Sequence, residues 1–154
     1  MIGINVTSVF VNDQRQALTF YTNVLGFVLK HDISLGSAND SDSGARWLTV
    51  VPAADPDGVE LLLEPNSHPA AAAYQGSIFR DGIPATSFAT DDLRTEIERL
   101  RHVGVRIVAE PSESFGVIQA AIDDTVGKYH WAESDPDGIA VDTSIAVVGP
   151  RYEP

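Results

Sequence analysis

Val6-Thr7-Ser8-Val9-Phe10-Val11-Asn12-Asp13-Gln14-Arg15 and, about eighty residues on, Ala85-Thr86-Ser87-Phe88-Ala89-Thr90-Asp91-Asp92-Leu93-Arg94 follow one plan: a β-branched and aromatic run, an acidic cap, the start of a helix. The first helix is expected to stop at Gly26 and the second at Gly104. The tetrapeptide Asp-Pro-Asp-Gly also recurs, at Asp55 to Gly58 and at Asp135 to Gly138. Self-similarity at this spacing marks a structural module used twice. The pattern of elements in each copy is strand, helix and three strands, which gives an α+β chain of two βαβββ units.

Working outward from the first stretch, Asp13 followed by Gln16 makes a capping-box-like helix start. Ala17, Leu18, Tyr21, Val24 and Leu25 then fall at helical spacing, and Gly26 supplies the positive φ that a helix stop needs. Strands are expected at 27–33, 45–51 and 59–64. A Ser/Asp/Asn/Gly-rich loop from Leu35 to Gly44 separates the first two and could reach over a cavity. Pro65 to Gly82 joins the halves, with a short helix over Ala70 to Tyr74. The second copy predicts a strand at 84–90, a helix from Leu93 to Val103 with Leu93, Ile97 and Leu100 on one face, and strands at 105–109 and 117–122. After Asp124 two segments, 128–133 and 139–145, both read as strands, one more than the repeat requires. The organisation expected is a first module over 1–66, a linker over 67–82 and a second module over 83–148, sharing one domain, with a tail over 149–154.

A chain of 154 residues with 44% apolar content can bury one core. Ten basic against 22 acidic side chains leave a formal charge of -12, a field that repels phosphate backbones and anionic membranes, so no nucleic-acid or membrane partner is expected. Most acids, Asp55, Asp57, Asp91, Asp92, Asp135 and Asp137 among them, neighbour Gly, Pro, Ser or Thr and read as solvated turns and caps. The absence of cysteine removes disulfides, thiolate nucleophiles and thiolate metal sites, which fits a cytoplasmic chain. No Ser/His/Asp arrangement, phosphate-binding glycine loop or dinucleotide fingerprint is present.

Phe20-Tyr21, then Val24-Leu25-Gly26-Phe27, then Val59-Glu60-Leu61-Leu62-Leu63-Glu64-Pro65 resemble the vicinal-oxygen-chelate superfamily of glyoxalases, bleomycin-resistance proteins, fosfomycin-resistance enzymes and extradiol dioxygenases. The resemblance covers residues 4 to about 127. It implies two βαβββ modules forming a curved mixed sheet around a pocket, commonly in a homodimer. Enzymes of this superfamily hold a divalent ion with four ligands, typically His and Glu. Carried over by position, the first falls on Val6 and its counterpart on Ala85, neither of which can ligate. The third matches Glu60, with Glu64 further along the same face, and the fourth falls on Trp131 or Asp142 according to which late strand closes the module. This set predicts no family-type metal and no cofactor.

His31 on a strand and His102 at a helix end have ordinary structural readings. His68, before Pro69, and His130, between Tyr129 and Trp131, are candidates for ligand contact. A catalytic His130 would need Glu60, Glu133 or Asp142 as its partner. Alternation turns Arg46 and Trp47 to opposite faces, and an inward Trp47 offers a planar wall that Phe10, Phe88 and Trp131 could extend. The ligand-binding set expected is therefore Phe10, Trp47, Glu60, His68, Phe88 and Trp131, and the catalytic candidates are Glu60, His130 and Asp142. The leading expectation is a metal-independent binder of a small organic molecule. A lyase, isomerase or thiol transferase with a relocated site, and a degenerate structural or regulatory module, are the alternatives.

Overall fold

The computed structural model describes residues 1–36, 44–114, 116–123 and 129–134, and falls into two compact units, Met1–Ala72 and Ala73–Pro154. In the first unit β1 (Val6–Val11) leads through α1 (Gln14–Thr19) and a π-helical turn (Phe20–Val24) into β2 (Phe27–Ser34), β3 (Arg46–Pro52) and β4 (Glu60–Pro65). Its sheet runs β1-β4-β3-β2, with β1 parallel to β4 and the other pairs antiparallel. The helix α2 (Pro69–Arg80) spans the division between units. In the second unit β5 (Thr86–Ala89), α3 (Leu93–His102), β6 (Arg106–Ser114), β7 (Val117–Asp123) and β8 (Tyr129–Ser134) repeat the plan, in the order β5-β8-β7-β6. The expected α+β pair of βαβββ modules is what folds. Of the two late segments, the earlier closes the second sheet as β8, parallel to β5; residues 139–145 lie outside the described residues.

Helices α1 and α3 begin as the sequence indicates. The Asp13 carboxylate accepts from the backbone N–H groups of Arg15 and Gln16 at 2.8 and 2.9 Å, and Asp92 accepts from the N–H and hydroxyl of Thr95 at 3.0 and 2.7 Å. These bonds satisfy orphan donors of the first turn. Gly26 and Gly104 end the two helical stretches at φ +78° and +86°. The interval from capping aspartate to glycine is one residue longer in the first unit, and the π turn takes up the difference, with the Leu25 N–H reaching back five residues to the Phe20 carbonyl at 3.1 Å. That turn lets the adjacent Phe20 and Tyr21 both be buried, and Tyr21 meets Phe27 edge to face at 5.9 Å.

Beneath α1 lie Val9, Val11, Leu48, Val50, Leu61 and Leu63, all buried; in the second unit Leu93, Ile97 and Leu100 of α3 are buried, as are Ala120 and Ile122 of β7. Two elements exceed their expected bounds. The helix expected over Ala70 to Tyr74 extends to Arg80. The strand expected to end at Ala109 continues to Ser114 through Pro111, because β6 is an edge strand and its register shifts between Ala109 and Ser112. A proline that breaks a central ladder is tolerated at such a bulge.

At the first helical position the second unit places the buried Leu93, whereas the first places Gln14. The Gln14 Nε2 donates to the carbonyls of Arg46 and Leu63 at 2.8 and 2.7 Å, and its Oε1 accepts from the Arg46 N–H at 3.1 Å. One side chain thus ties the start of β3 to β4 and both to α1. Gln14→Ala is expected to lower the unfolding free energy by about 2 kcal/mol, since it strands three part-buried backbone groups, while Gln16→Ala changes it by less than about 0.5 kcal/mol. Urea denaturation of both variants checks this.

Candidate functional site

The parallel β1–β4 ladder sets Val6 opposite Glu60, Ser8 opposite Leu62 and Phe10 opposite Glu64. Thr49 of β3 pairs with Leu62 on one side and with His31 of β2 on the other, and Trp47 pairs with Ile33. Side chains alternate along a strand, so these residues share the sheet face turned away from α1. At its centre Thr49 and Val51 are fully buried, while Phe10, Trp47, Glu60, Glu64 and His31 are half-buried.

Three neighbouring strands place their polar groups together on this face. The Glu60 Oε2 lies 3.0 Å from the His31 Nδ1, which is also 3.3 Å from the Thr49 Oγ1. A hydrogen bond from the Thr49 hydroxyl, then His31 as bond donor and neighbouring charge, hold the Glu60 carboxyl below its ordinary range against the opposing effect of burial. The Glu60 side chain is 13% exposed and that of His31 43%, so the carboxylate is sheltered and the imidazole stands at the edge of the face.

Of the sequence-derived candidates, Phe10, Trp47 and Glu60 share this one face of the first unit. His68 is exposed, and its Nδ1 accepts from the Ala70 N–H at 3.1 Å, capping α2. Phe88 pairs with Ala132, one position out of step with Trp131, whose partner is Ser87. In the repeat Phe88 takes the place of Val9, the residue buried under α1 in the first unit. His130 stands on β8 opposite Thr86, and Asp142 lies outside the described residues. His31, assigned an ordinary strand role from sequence, is the residue brought onto Glu60. Only the pairing of β2 with β3 could have revealed it, since nothing local distinguishes it.

The register also tests the superfamily's metal positions. Val6 is opposite Glu60, where the first ligand would stand beside the third. Thr86 pairs with His130 as Thr7 pairs with Leu61, so the fourth position falls on Tyr129 rather than Trp131. Val6 and Ala85 carry no side-chain donor atom, and Glu60 is already bonded to His31 and Thr49, so these three positions do not fit the superfamily's ligand set. Among the described residues no group of three or more His, Cys, Asp or Glu is placed to share an ion. An open cleft of about 400 Å³ beside Asp13, Gln14, Arg46 and Pro65 lies at the start of α1. Four of its polar side chains have protein partners: Asp13 and Gln14 as above, Asn12 with Asn66, and Arg46 with Asp32.

Two duplicated βαβββ units with this arrangement define a class, and the comparisons agree. The sequence profile of the Glyoxalase/Bleomycin resistance protein/Dioxygenase superfamily matches residues 3–143, and the chain belongs to that superfamily. It is 48% identical over 124 residues to the protein YurT of Bacillus subtilis, covering 80% of this chain and 92% of that one. The crystal structure of UcmS2 superposes with a TM-score of 0.72 at 28% identity, over 86% of this chain and 98% of that one. TnmS3, an antibiotic binding protein from Streptomyces sp. CB03234, superposes at 0.68 with 26% identity, over 88% and 97%.

Because Glu60 binds its proton more weakly in the folded chain, its ionised form stabilises the fold above the ordinary glutamate value of about 4.3, and that contribution is lost as the pH falls through the lower folded value. Urea unfolding at pH 6 and pH 3 is expected to show a smaller acid-induced loss for Glu60→Gln than for the parent chain.

Proposed function

We propose that this protein binds a planar, antibiotic-like organic molecule on the face of its first sheet turned away from α1, without the superfamily's metal. The observation that carries this reading is the composition of that face: two aromatic side chains, Phe10 and Trp47, stand half-buried on it with the carboxylates Glu64 and, further along β4, Glu60, and the position beside Glu60 is Val6. An apolar wall with a few fixed polar groups is the usual makeup of a small-molecule site. The likeness to an antibiotic binding protein supports the same reading. Binding by stacking and shape asks no reaction of the chain, which sets this reading ahead of a lyase or isomerase.

The reading includes a homodimer in a cytoplasmic setting. Strand β2 is an edge of its sheet and exposes Val28, Leu29 and Ile33, a combination that favours burial against a partner. Among the described residues no helix is long and apolar enough to cross a membrane. Light scattering on the eluting protein is expected to give twice the chain mass, falling to one chain mass in Ile33→Lys.

Titration of the purified protein with a panel of aromatic antibiotics is expected to quench tryptophan fluorescence with micromolar or tighter affinity, unchanged by chelator. The double variant Phe10→Ala, Trp47→Ala is expected to weaken binding by about 2 kcal/mol, roughly thirty-fold. Binding abolished by chelator and restored by one divalent ion would overturn the metal-independent reading.

A further inference from the structure

The imidazole of His31 can be assigned a tautomer from its surroundings. Its Nδ1 is 3.0 Å from Glu60 Oε2 and 3.3 Å from Thr49 Oγ1. An ionised carboxylate only accepts hydrogen bonds, and Glu60 is kept ionised by the Thr49 hydroxyl and by His31 itself. The proton shared between His31 and Glu60 therefore resides on Nδ1, and in the neutral ring Nε2 is left with an available lone pair. Carboxylate partners fix the tautomer and orientation of histidines in this way wherever the second nitrogen must meet a ligand. Among the described residues Nε2 has no protein partner, and the side chain is 43% exposed.

Position on the sheet gives that lone pair a use. His31 pairs with Thr49 and Ile33 pairs with Trp47, so His31 and Trp47 are diagonal neighbours on adjacent strands. Such neighbours stand roughly 7–8 Å apart, which is about the span of two or three fused rings. A flat ligand lying against Trp47 therefore brings a ring substituent to His31. The carboxylates Glu60 and Glu64 on the same face add acceptors and no donor.

We propose that His31, held in its Nδ1–H form by Glu60 and Thr49, accepts a hydrogen bond at Nε2 from the hydroxyl of a planar aromatic ligand, so that this face selects phenols over their ethers. This rests on the small-molecule reading above and names the ligand class. Glu60 is a positioning residue, since it acts through His31.

The test uses 1-hydroxypyrene and 1-methoxypyrene, which share a ring system and differ in the single donor. In the parent chain the hydroxyl compound is expected to bind at least about ten-fold tighter, the effect of one well-placed hydrogen bond. In His31→Phe the two affinities should converge while that of the ether stays within about two-fold of its parent value. Glu60→Ala should shrink the same ratio. Nitrogen-15 NMR, with His31 assigned by its loss in His31→Phe, should show Nδ1 protonated in the parent chain and Nε2 protonated in Glu60→Ala. Thermal unfolding of each variant confirms that it is folded. Equal binding of the two compounds by the parent chain, or a parent His31 protonated at Nε2, would overturn the His31 proposal and leave the small-molecule reading standing. Failure of both compounds to bind would overturn the small-molecule reading and this proposal with it.

Discussion

The parallel pairing of the first strand of each unit with its last is the constraint on which everything else rests. Parallel neighbours cannot be joined by a tight turn, so the helix and two further strands must intervene, and the βαβββ order follows. In the first unit the ladder is fastened at both ends, by the Glu60 N–H to the Asn5 carbonyl at 3.0 Å and the Asn66 N–H to the Val11 carbonyl at 3.1 Å. A one-residue slip would exchange the two faces of β1, sending Val9 and Val11 away from α1 and Phe10 into the core. The buried pattern under the helix forbids this. The register that protects the core also determines which residue stands beside Glu60.

Much of this was legible in the sequence because it is local. Capping aspartates, stop glycines and alternating strands act over a few residues, and the expected elements of the first unit match the observed ones to within about two positions at each end. What escaped was tertiary. The strand expected at 105–109 runs on through Pro111 to Ser114, and its place at the sheet edge with a register shift explains why. Nothing local marks Gln14, yet its three bonds reach 32 and 49 residues along the chain. His31 gave no sign of its tie to Glu60, a residue brought near through two intervening strand pairings.

The two units have diverged in a chemically consistent direction. Where the superfamily's enzymes converge ligands on an ion, this chain has Val6 and Ala85, and its one retained carboxylate among the described positions, Glu60, is engaged by a hydroxyl and an imidazole. A sheltered carboxylate without a partner would be destabilising. The His31 and Thr49 contacts provide such partners.

The π turn at Phe20–Val24 carries a historical consequence. Two copies of one ancestral module should align without gaps through their helices, with insertions confined to loops. Here the extra residue sits inside the helix, so an alignment of the halves that keeps the helices ungapped displaces the strand that follows Gly26 by one. For a strand, one position is the difference between its two faces. Any comparison that equates residues across the duplication must therefore place its gap at Phe-Tyr, or it will match helix-facing positions of one strand to positions on the opposite face of its counterpart.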